Sequence, residues 1–507
     1  MTTTIGESTL TALACAAFLA GCLPFTLPAG QASGAPAHSS SNSVPEPGGD
    51  PKRLKQQTRV TVETNAVPVG ITTNAVPGKE KSFAWDFSWQ GWDGLHLGLT
   101  RKTLLGQFVP GVTNVEQISL THSIGLSAYE TTNYFLRLEE ARMAAKIGGK
   151  LALDAAGYAT GSQFQNFDDH FEVRRARIYA KGDCLLIFPV SYQFEVGYIP
   201  NQFYIEESYL AFRNLPWLGE LKIGQYQAPM GLDVITSSRD ITFMEPAAPI
   251  QALAPGVNAG LQIGRPFFDQ RMTWKLGLFT DGVGADFGEA TKDYGRAITR
   301  LTGLPIYRAD PDRPGATRLL HLGLSANILY SSSGSVRYQS RPESHLAPHV
   351  IDTGDISADG ALVVGAEAAW VNGPFSVQGE YLRSWVHQDG GQTPGFDGLY
   401  ASASWFLTGE SRPYDRTEGQ FGRVIPKRNF DFGHGGWGAW EFGGRGSYVN
   451  LSSGSIHGGR LAMLMTGVNW YLHSHVKWRF EYGLGHVSGR TPEGNVNIFQ
   501  TRIEVDF

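Results

Sequence analysis

Toward its C-terminus the chain alternates strictly: Phe499, Thr501, Ile503, Val505 and Phe507 fall on one side, and Gln500, Arg502, Glu504 and Asp506 on the other. A period of two is that of a strand with one apolar and one polar face. The scheme recurs upstream. In HVKWRFEYGLGHV, Val476, Trp478, Phe480, Tyr482 and Leu484 share a face opposite Lys477, Arg479, Glu481 and Gly483. GVNWYL sets Val468, Trp470 and Leu472 against Asn469 and Tyr471, and GAWEFGGRGSY sets Trp440 and Phe442 against Glu441 and Arg445. From Lys150 onward alternation is the dominant signal. A strand that runs to a bare terminal phenylalanine must be paired and covered, since free ends otherwise fray.

Two architectures accommodate such strands. In a soluble sandwich the apolar face is the inner one and the loops are short. In a membrane barrel it faces lipid, the polar face surrounds water, and closure satisfies every backbone group. Connection lengths separate the two. They fall near 160–170, 182–188, 199–205, 214–218, 227–256, 266–271 and 280–317, and from 214 onward short alternates with long. Membrane barrels have short periplasmic turns and longer outer loops, whereas loops beyond ~15 residues are uncommon in compact soluble domains. The expectation is an all-β, transmembrane antiparallel β-barrel of about fifteen or sixteen strands; the even count of bacterial single-chain barrels favours sixteen. The segment APMGLDVITSSRDITFMEPAAPIQALAPG, residues 228–256, is proline-rich and alternates poorly. It is expected to fold into the barrel, with Arg239, Asp240 and Glu245 as constriction charges; the alternative is an external loop.

Composition agrees with a barrel. Glycine is 62 of 507 residues, aromatics are 12 % and charged residues only 18 %, a mixture suited to many strands, tight turns and interfacial rings. The net charge of −5 argues against a nucleic-acid partner. Past the N-terminus no apolar run approaches the ~18 residues of a membrane helix. The stretch LTALACAAFLAGC, Leu10 to Cys22, has the length of a signal-peptide core, although Glu7 is the only charge before it. A signal peptide over residues 1–32 is expected. Its LAGC resembles a bacterial lipobox that would place a lipid on Cys22; cleavage near Ala32 or Ala37 is the alternative. Residues 33–82, with the near-repeats TNAVPVG and TNAVPG, read as a disordered Pro/Gly/Ser-rich periplasmic linker, and residues 83–507 as the barrel domain. Cys184, alone in the body of the chain, has no partner for an intrachain disulfide.

The basic strand FEVRRARIYAKG carries the most chemistry. With Ala176, Ile178 and Ala180 toward lipid, Arg175, Arg177, Tyr179 and Lys181 face inward, and Arg174 is expected outward at the interface. Cations along one lumen wall can pass an anion from fork to fork, weakly enough for release. The alternative is that they neutralise Glu195, Glu206 or Glu207. Lys275, Arg445, Lys477, Arg479 and Arg502 join the inward set, as do the acidic Glu380, Glu441, Glu481 and Glu504. The lumen is therefore mixed in charge. Enzyme signals are weak. Asp352-Thr353-Gly354 occurs once, whereas aspartic-protease chemistry needs two carboxylates. His473 and His475 lack the cysteine or carboxylate neighbours of a metal site, and no G-x-S-x-G elbow, P-loop or H-E-x-x-H occurs. No enzyme activity, cofactor or metal is expected.

FEVRRARIYAKG, EESYLAF, GELKIGQYQAPMGL and ALAPGVNAGLQIG, followed by SWFLTGESRPYD, GQFGRVIPKRNF, GGWGAWEFGGRGSY and TGVNWYLHSHVKW, resemble in order the phosphate-selective porin O and P family of bacterial outer membranes. The resemblance spans about residues 145–507. It implies a sixteen-stranded, homotrimeric outer-membrane porin surrounded by lipid, an inward-folded third loop, and basic residues that guide small anions. It also implies that the C-terminal strand, ending in Phe507, is recognised by the barrel assembly machinery and then pairs with the first strand. Arg175 and Arg177 match the family's RRxR strand; its arginine ladder and central lysine find no residue-by-residue match. The expected function is passive diffusion of small anions, phosphate or polyphosphate among them. A non-selective channel and a plugged barrel serving as a surface scaffold are the alternatives.

Overall fold

The computed structural model describes residues 83–90, 96–103, 142–164, 167–185, 188–199, 202–282, 294–309, 317–388 and 390–507. The signal peptide and linker expected over 1–32 and 33–82 lie outside the described residues. Phe83–Gln90 and His96–Thr103 pair with each other as a separate two-stranded sheet.

The barrel strands begin with β1 (Arg142–Thr160), β2 (His170–Leu185), β3 (Pro189–Ile199) and β4 (Gln202–Leu215). There follow β5 (Gly219–Gln227), β6 (Val257–Phe267), β7 (Met272–Asp281), β8 (Tyr294–Ala309) and β9 (Thr317–Ser331). The remainder are β10 (Ile356–Asn372), β11 (Phe375–Gln388), β12 (Gly395–Phe406), β13 (Ala439–Ser453), β14 (Ile456–His473), β15 (Val476–Ser488) and β16 (Gly494–Asp506). Each strand pairs antiparallel with the next, and β16 pairs with β1 to close a sixteen-strand barrel. The stretch 280–317, expected as one long connection, instead contains β8. Its outward face is small there, with Ala297 and Thr299 against Ile298 and Arg300 inside, so the usual alternation of bulk is muted.

The predicted faces hold. Phe499 and Ile503 of β16 are exposed on the outside, whereas Gln500, Arg502, Glu504 and Asp506 are buried within. Along β11 to β15, Tyr381, Leu399, Phe442, Leu464 and Tyr482 continue the outer apolar band. A surface this apolar is stable only against hydrocarbon or another apolar surface. The terminal phenylalanine is paired at the seam. Gly149 N–H donates to the Phe507 carbonyl at 3.1 Å, and Phe507 N–H returns a bond to Gly149 at 3.0 Å.

At one end the connections are short, at 216–218, 268–271, 373–374 and 474–475; at the other are 161–169, 228–256 and 332–355. Among the described residues, 407–438 at the short-turn end joins β12 to β13 and breaks this rule, as does the two-residue turn 454–455 at the other end. The loop 228–256 folds into the barrel as expected. It contains two short helices, α1 (Leu232–Ile235) and α2 (Ala248–Leu253). Ala248, Ile250 and Leu253 of α2 pack in one apolar cluster with Leu382, Phe396, Val449 and Met465 of the inner wall and with Tyr338 and Ile351 of the 332–355 loop. Both loops from the long-loop end thus share a core inside the barrel.

Candidate functional site

An irregular loop inside a barrel brings amide and carbonyl groups that no strand ladder satisfies, and buried backbone groups require partners. The charged inner wall supplies them. Lys477 donates to the Ile241 carbonyl at 3.3 Å, and Arg479 to those of Phe243 and Arg239 at 2.8 and 2.9 Å. Arg502 reaches the Met244 carbonyl at 2.5 Å and Arg445 that of Glu245 at 3.0 Å. Acidic wall residues take the amides. Glu481 accepts from Met244 at 2.6 Å, and Glu380 from Leu232 and Asp233 at 2.9 and 2.7 Å. These inward residues, expected as pore lining, form the bed on which the loop lies.

Side-chain pairs complete the clamp. Arg502 forks Asp154 through two bonds of 2.6 Å and also meets Glu245 at 2.5 Å. Arg479 pairs with Glu504 at 3.0 Å. Arg445 meets Glu343 of the second loop at 2.5 Å, and Ala248 N–H donates to the same carboxylate at 2.8 Å. Of the three constriction charges expected, Arg239 pairs with Asp240 at 2.9 Å and with Asp506 at 3.2 Å. Burial opposes the charge on Arg239, but its contact with Asp240 raises the pKa above the ordinary arginine value. Burial alone would raise the Glu245 carboxyl; Arg174 and Arg502 reverse this and hold it well below the usual carboxylate range.

Arg174 corrects one expectation. The β1–β2 register runs Ala152↔Arg175 and then Leu153↔Val173, so Arg174 is an extra residue in a β-bulge. A bulge breaks alternation and turns two consecutive side chains to the same face. Arg174 therefore points inward, not outward, and its Nε lies 3.0 Å from Glu245. A second irregularity, between β3 and β4, sets Glu206 and Glu207 together near Glu195. Arg177 bonds Glu206 at 2.8 Å and stands 3.7 Å from Glu195, the neutralising arrangement anticipated as the alternative. Lys275 pairs with Glu418 of the 407–438 connection, which pulls that carboxyl down to about 2 against the opposing effect of burial.

Two predicted cations remain outside these pairs. Arg175 is 5 % exposed, and its Nε and Nη1 are buried with no hydrogen-bond partner among the described residues. Lys181 is exposed and lies over the Tyr179 ring at 5.3 Å. Sequence reasoning missed two neighbours: Lys146 and Lys150 of β1 are the cross-strand partners of Lys181 and Arg177. Their spacing in KIGGKLALD places Lys146, Lys150 and Asp154 on one face, a signal diluted by Gly148 and Gly149.

The 407–438 connection also enters the barrel. Arg412 donates to Gln378 at 3.0 Å, Tyr414 OH and His321 Nδ1 are 2.6 Å apart, and Arg300 donates to the Gly419 carbonyl at 2.9 Å. Phe421 is buried with Leu319 and Val371. The lumen is thus narrowed from both ends.

A closed antiparallel sheet, apolar outside and charged inside, with its interior constricted by folded-in loops, is a transmembrane channel of the porin class. The model of the family described as phosphate-selective porin O and P matches residues 145–507, and the chain belongs to that family. It is a porin of the bacterial outer membrane. An uncharacterized protein of Caulobacter vibrioides is 29 % identical over 356 residues, 66 % of this chain and 68 % of that one. Porin O of Pseudomonas aeruginosa is 25 % identical over 378 residues, 66 % of this chain and 80 % of that one. Among solved structures, an anion-selective porin from Comamonas acidovorans aligns with a TM-score of 0.45 and 12 % identity, covering 72 % of this chain and all of that one.

Proposed function

We propose that this porin passes small anions, phosphate and polyphosphate among them, by passive diffusion along the β1–β2 wall. The observation that carries the reading is Arg175: a guanidinium pointing into the barrel beside Arg174 and Arg177, with two buried N–H donors unanswered among the described residues. An unanswered buried donor costs free energy comparable to a lost hydrogen bond, and with no acceptor on Nε or Nη1 the guanidinium keeps a positive field that draws anions toward this wall. Lys146 and Lys181 extend positive charge from there toward the short-turn end, while Lys150 lies 3.5 Å from Glu195. The other basic residues named from the sequence, Arg239, Lys275, Arg445, Lys477, Arg479 and Arg502, serve this function indirectly, by holding the folded-in segments that set the width. Family membership supports the phosphate class, and homotrimeric assembly and recognition of Phe507 by the assembly machinery belong to the same proposal.

The test is reversal potential in planar bilayers under asymmetric chloride and phosphate. Arg175→Ala is expected to lower the anion-to-cation permeability ratio several-fold, because its Nε and Nη1 hold no hydrogen-bond partner among the described residues that the substitution would release. Arg177→Ala, which frees Glu206 and Glu195, is expected to change selectivity and stability together. Unchanged selectivity in Arg175→Ala would refute the assignment of that residue, and cation preference in the unmodified channel would refute the anion reading.

A further inference from the structure

The connection 407–438 divides into two parts with different surroundings. Its first part, through Phe421, is the segment already placed inside the barrel. Its second part crosses the rim. Phe430 N–H donates to the Leu472 carbonyl at 2.7 Å, at the end of β14, and a tight turn closes between Asp431 and Gly436. Asp431 holds that turn, its carboxylate accepting Gly433 N–H at 2.8 Å and lying 2.8 Å from the His434 ring.

The turn sits on the outer face. Phe430 meets the Trp470 ring edge-on at 5.0 Å, and Trp470 stacks between Trp440 at 5.0 Å and Trp478 at 6.4 Å. Trp440, Trp470 and Trp478 are direct cross-strand neighbours on β13, β14 and β15. Their alternation is that of Phe442, Leu464 and Tyr482, the lipid side. The Trp437 carbonyl accepts the indole N–H of both Trp440 and Trp470, at 3.0 and 2.9 Å. With those donors satisfied by protein, the rings can lie at the apolar boundary without an orphaned polar group. Beyond them the turn presents Phe432, 94 % exposed, and Trp437, 70 % exposed. Lys427 and Arg428, both exposed, precede it.

Large aromatic rings bare on a tip, continuous with a lipid-facing aromatic row and preceded by cations, have the pattern of an interfacial anchor. We infer that residues 430–437 insert into the boundary between headgroups and acyl chains of the periplasmic leaflet, and that this contact fixes the outer half of a segment whose inner half narrows the lumen. The partner is phospholipid: rings at the acyl boundary, and Arg428 at the phosphate level.

The experiment uses the full chain with Cys15, Cys22 and Cys184 changed to Ser, a single spin label at Phe432→Cys, and vesicles of phosphatidylethanolamine and phosphatidylglycerol. Collision with oxygen and with a water-soluble nickel chelate is compared with that at Leu464→Cys on the outer wall and at Asp269→Cys, in an exposed turn at the same end. The label at residue 432 is expected to favour oxygen over nickel, as Leu464→Cys does. Aqueous behaviour matching Asp269→Cys would overturn the inference. So would a label shielded from both and broadened by a second label, since the partner would then be another copy of this chain. Phe432 packs on Phe430 alone among the described rings, so its replacement leaves the barrel folded, which the retained channel current verifies.

Discussion

Between Arg174 and Arg502 the Glu245 carboxylate accepts bonds of 3.0 and 2.5 Å while almost wholly shielded from water. Its folded pKa lies well below the ordinary value, so its contribution to stability is present above an unfolded pKa of about 4.3 and is lost only as pH falls through the depressed value. Single-channel current is therefore expected to keep its amplitude and noise from about pH 7 to about pH 5, with disorder of the loop appearing only at far lower pH. Glu245→Gln removes the dependence by removing the charge. Arg502 keeps its fork to Asp154, so the loss falls on the Arg174 bond. Weakening a buried charge pair costs up to about 3–5 kcal/mol, read as added current noise at neutral pH; a quiet channel would show that the wall holds the loop without this carboxylate. The alternation rule placed Arg445, Arg479 and Arg502 inside correctly. It could not reveal that they hold carbonyls of residues 238–245, because those partners lie two hundred or more positions away in sequence.

At the scale of elements, period two made nearly every strand readable, and what it missed has local causes. Arg174 went to the wrong face because a bulge adds one residue without any mark in composition. β8 was hidden by its small outward residues. The closing strand depends on space that the sequence shows only as a glycine pair. A Cβ at Gly148 would lie 2.3 Å from the Phe507 carbonyl oxygen and 2.4 Å from the Tyr179 ring, whose hydroxyl also donates to that carbonyl at 3.2 Å. Gly148→Ala is expected to weaken closure, seen as loss of the compact, heat-resistant band in cold-sample gel electrophoresis. Gly157→Ala, where the nearest atom is 3.4 Å away in ordinary contact, is expected to keep that band. Equal behaviour of the two would mean the seam tolerates a shift of Phe507.

For the whole molecule, class, membrane and inward loop were legible because a barrel writes its two environments into alternate residues. The second inward loop and the 407–438 connection were not, since irregular segments carry no period and are held by contacts distant in sequence. The seam is the extreme case: Arg502 and Asp154 meet across 348 positions, a closure whose entropic cost is of order 5 kcal/mol for a flexible chain. During refolding into detergent, fluorophores at Ala155 and Thr501 are expected to approach later than a pair at Leu464 and Leu484 of the β14–β15 hairpin; simultaneous approach would contradict a hairpin-first order. A polypeptide cut short before β16 would form a gutter instead of a tube, its two open rims lined with amides that neither water nor hydrocarbon could satisfy at membrane depth. Integrity of the product is thereby tested at the β16–β1 seam, where one ladder of pairing turns a leaking trough into a sealed wall.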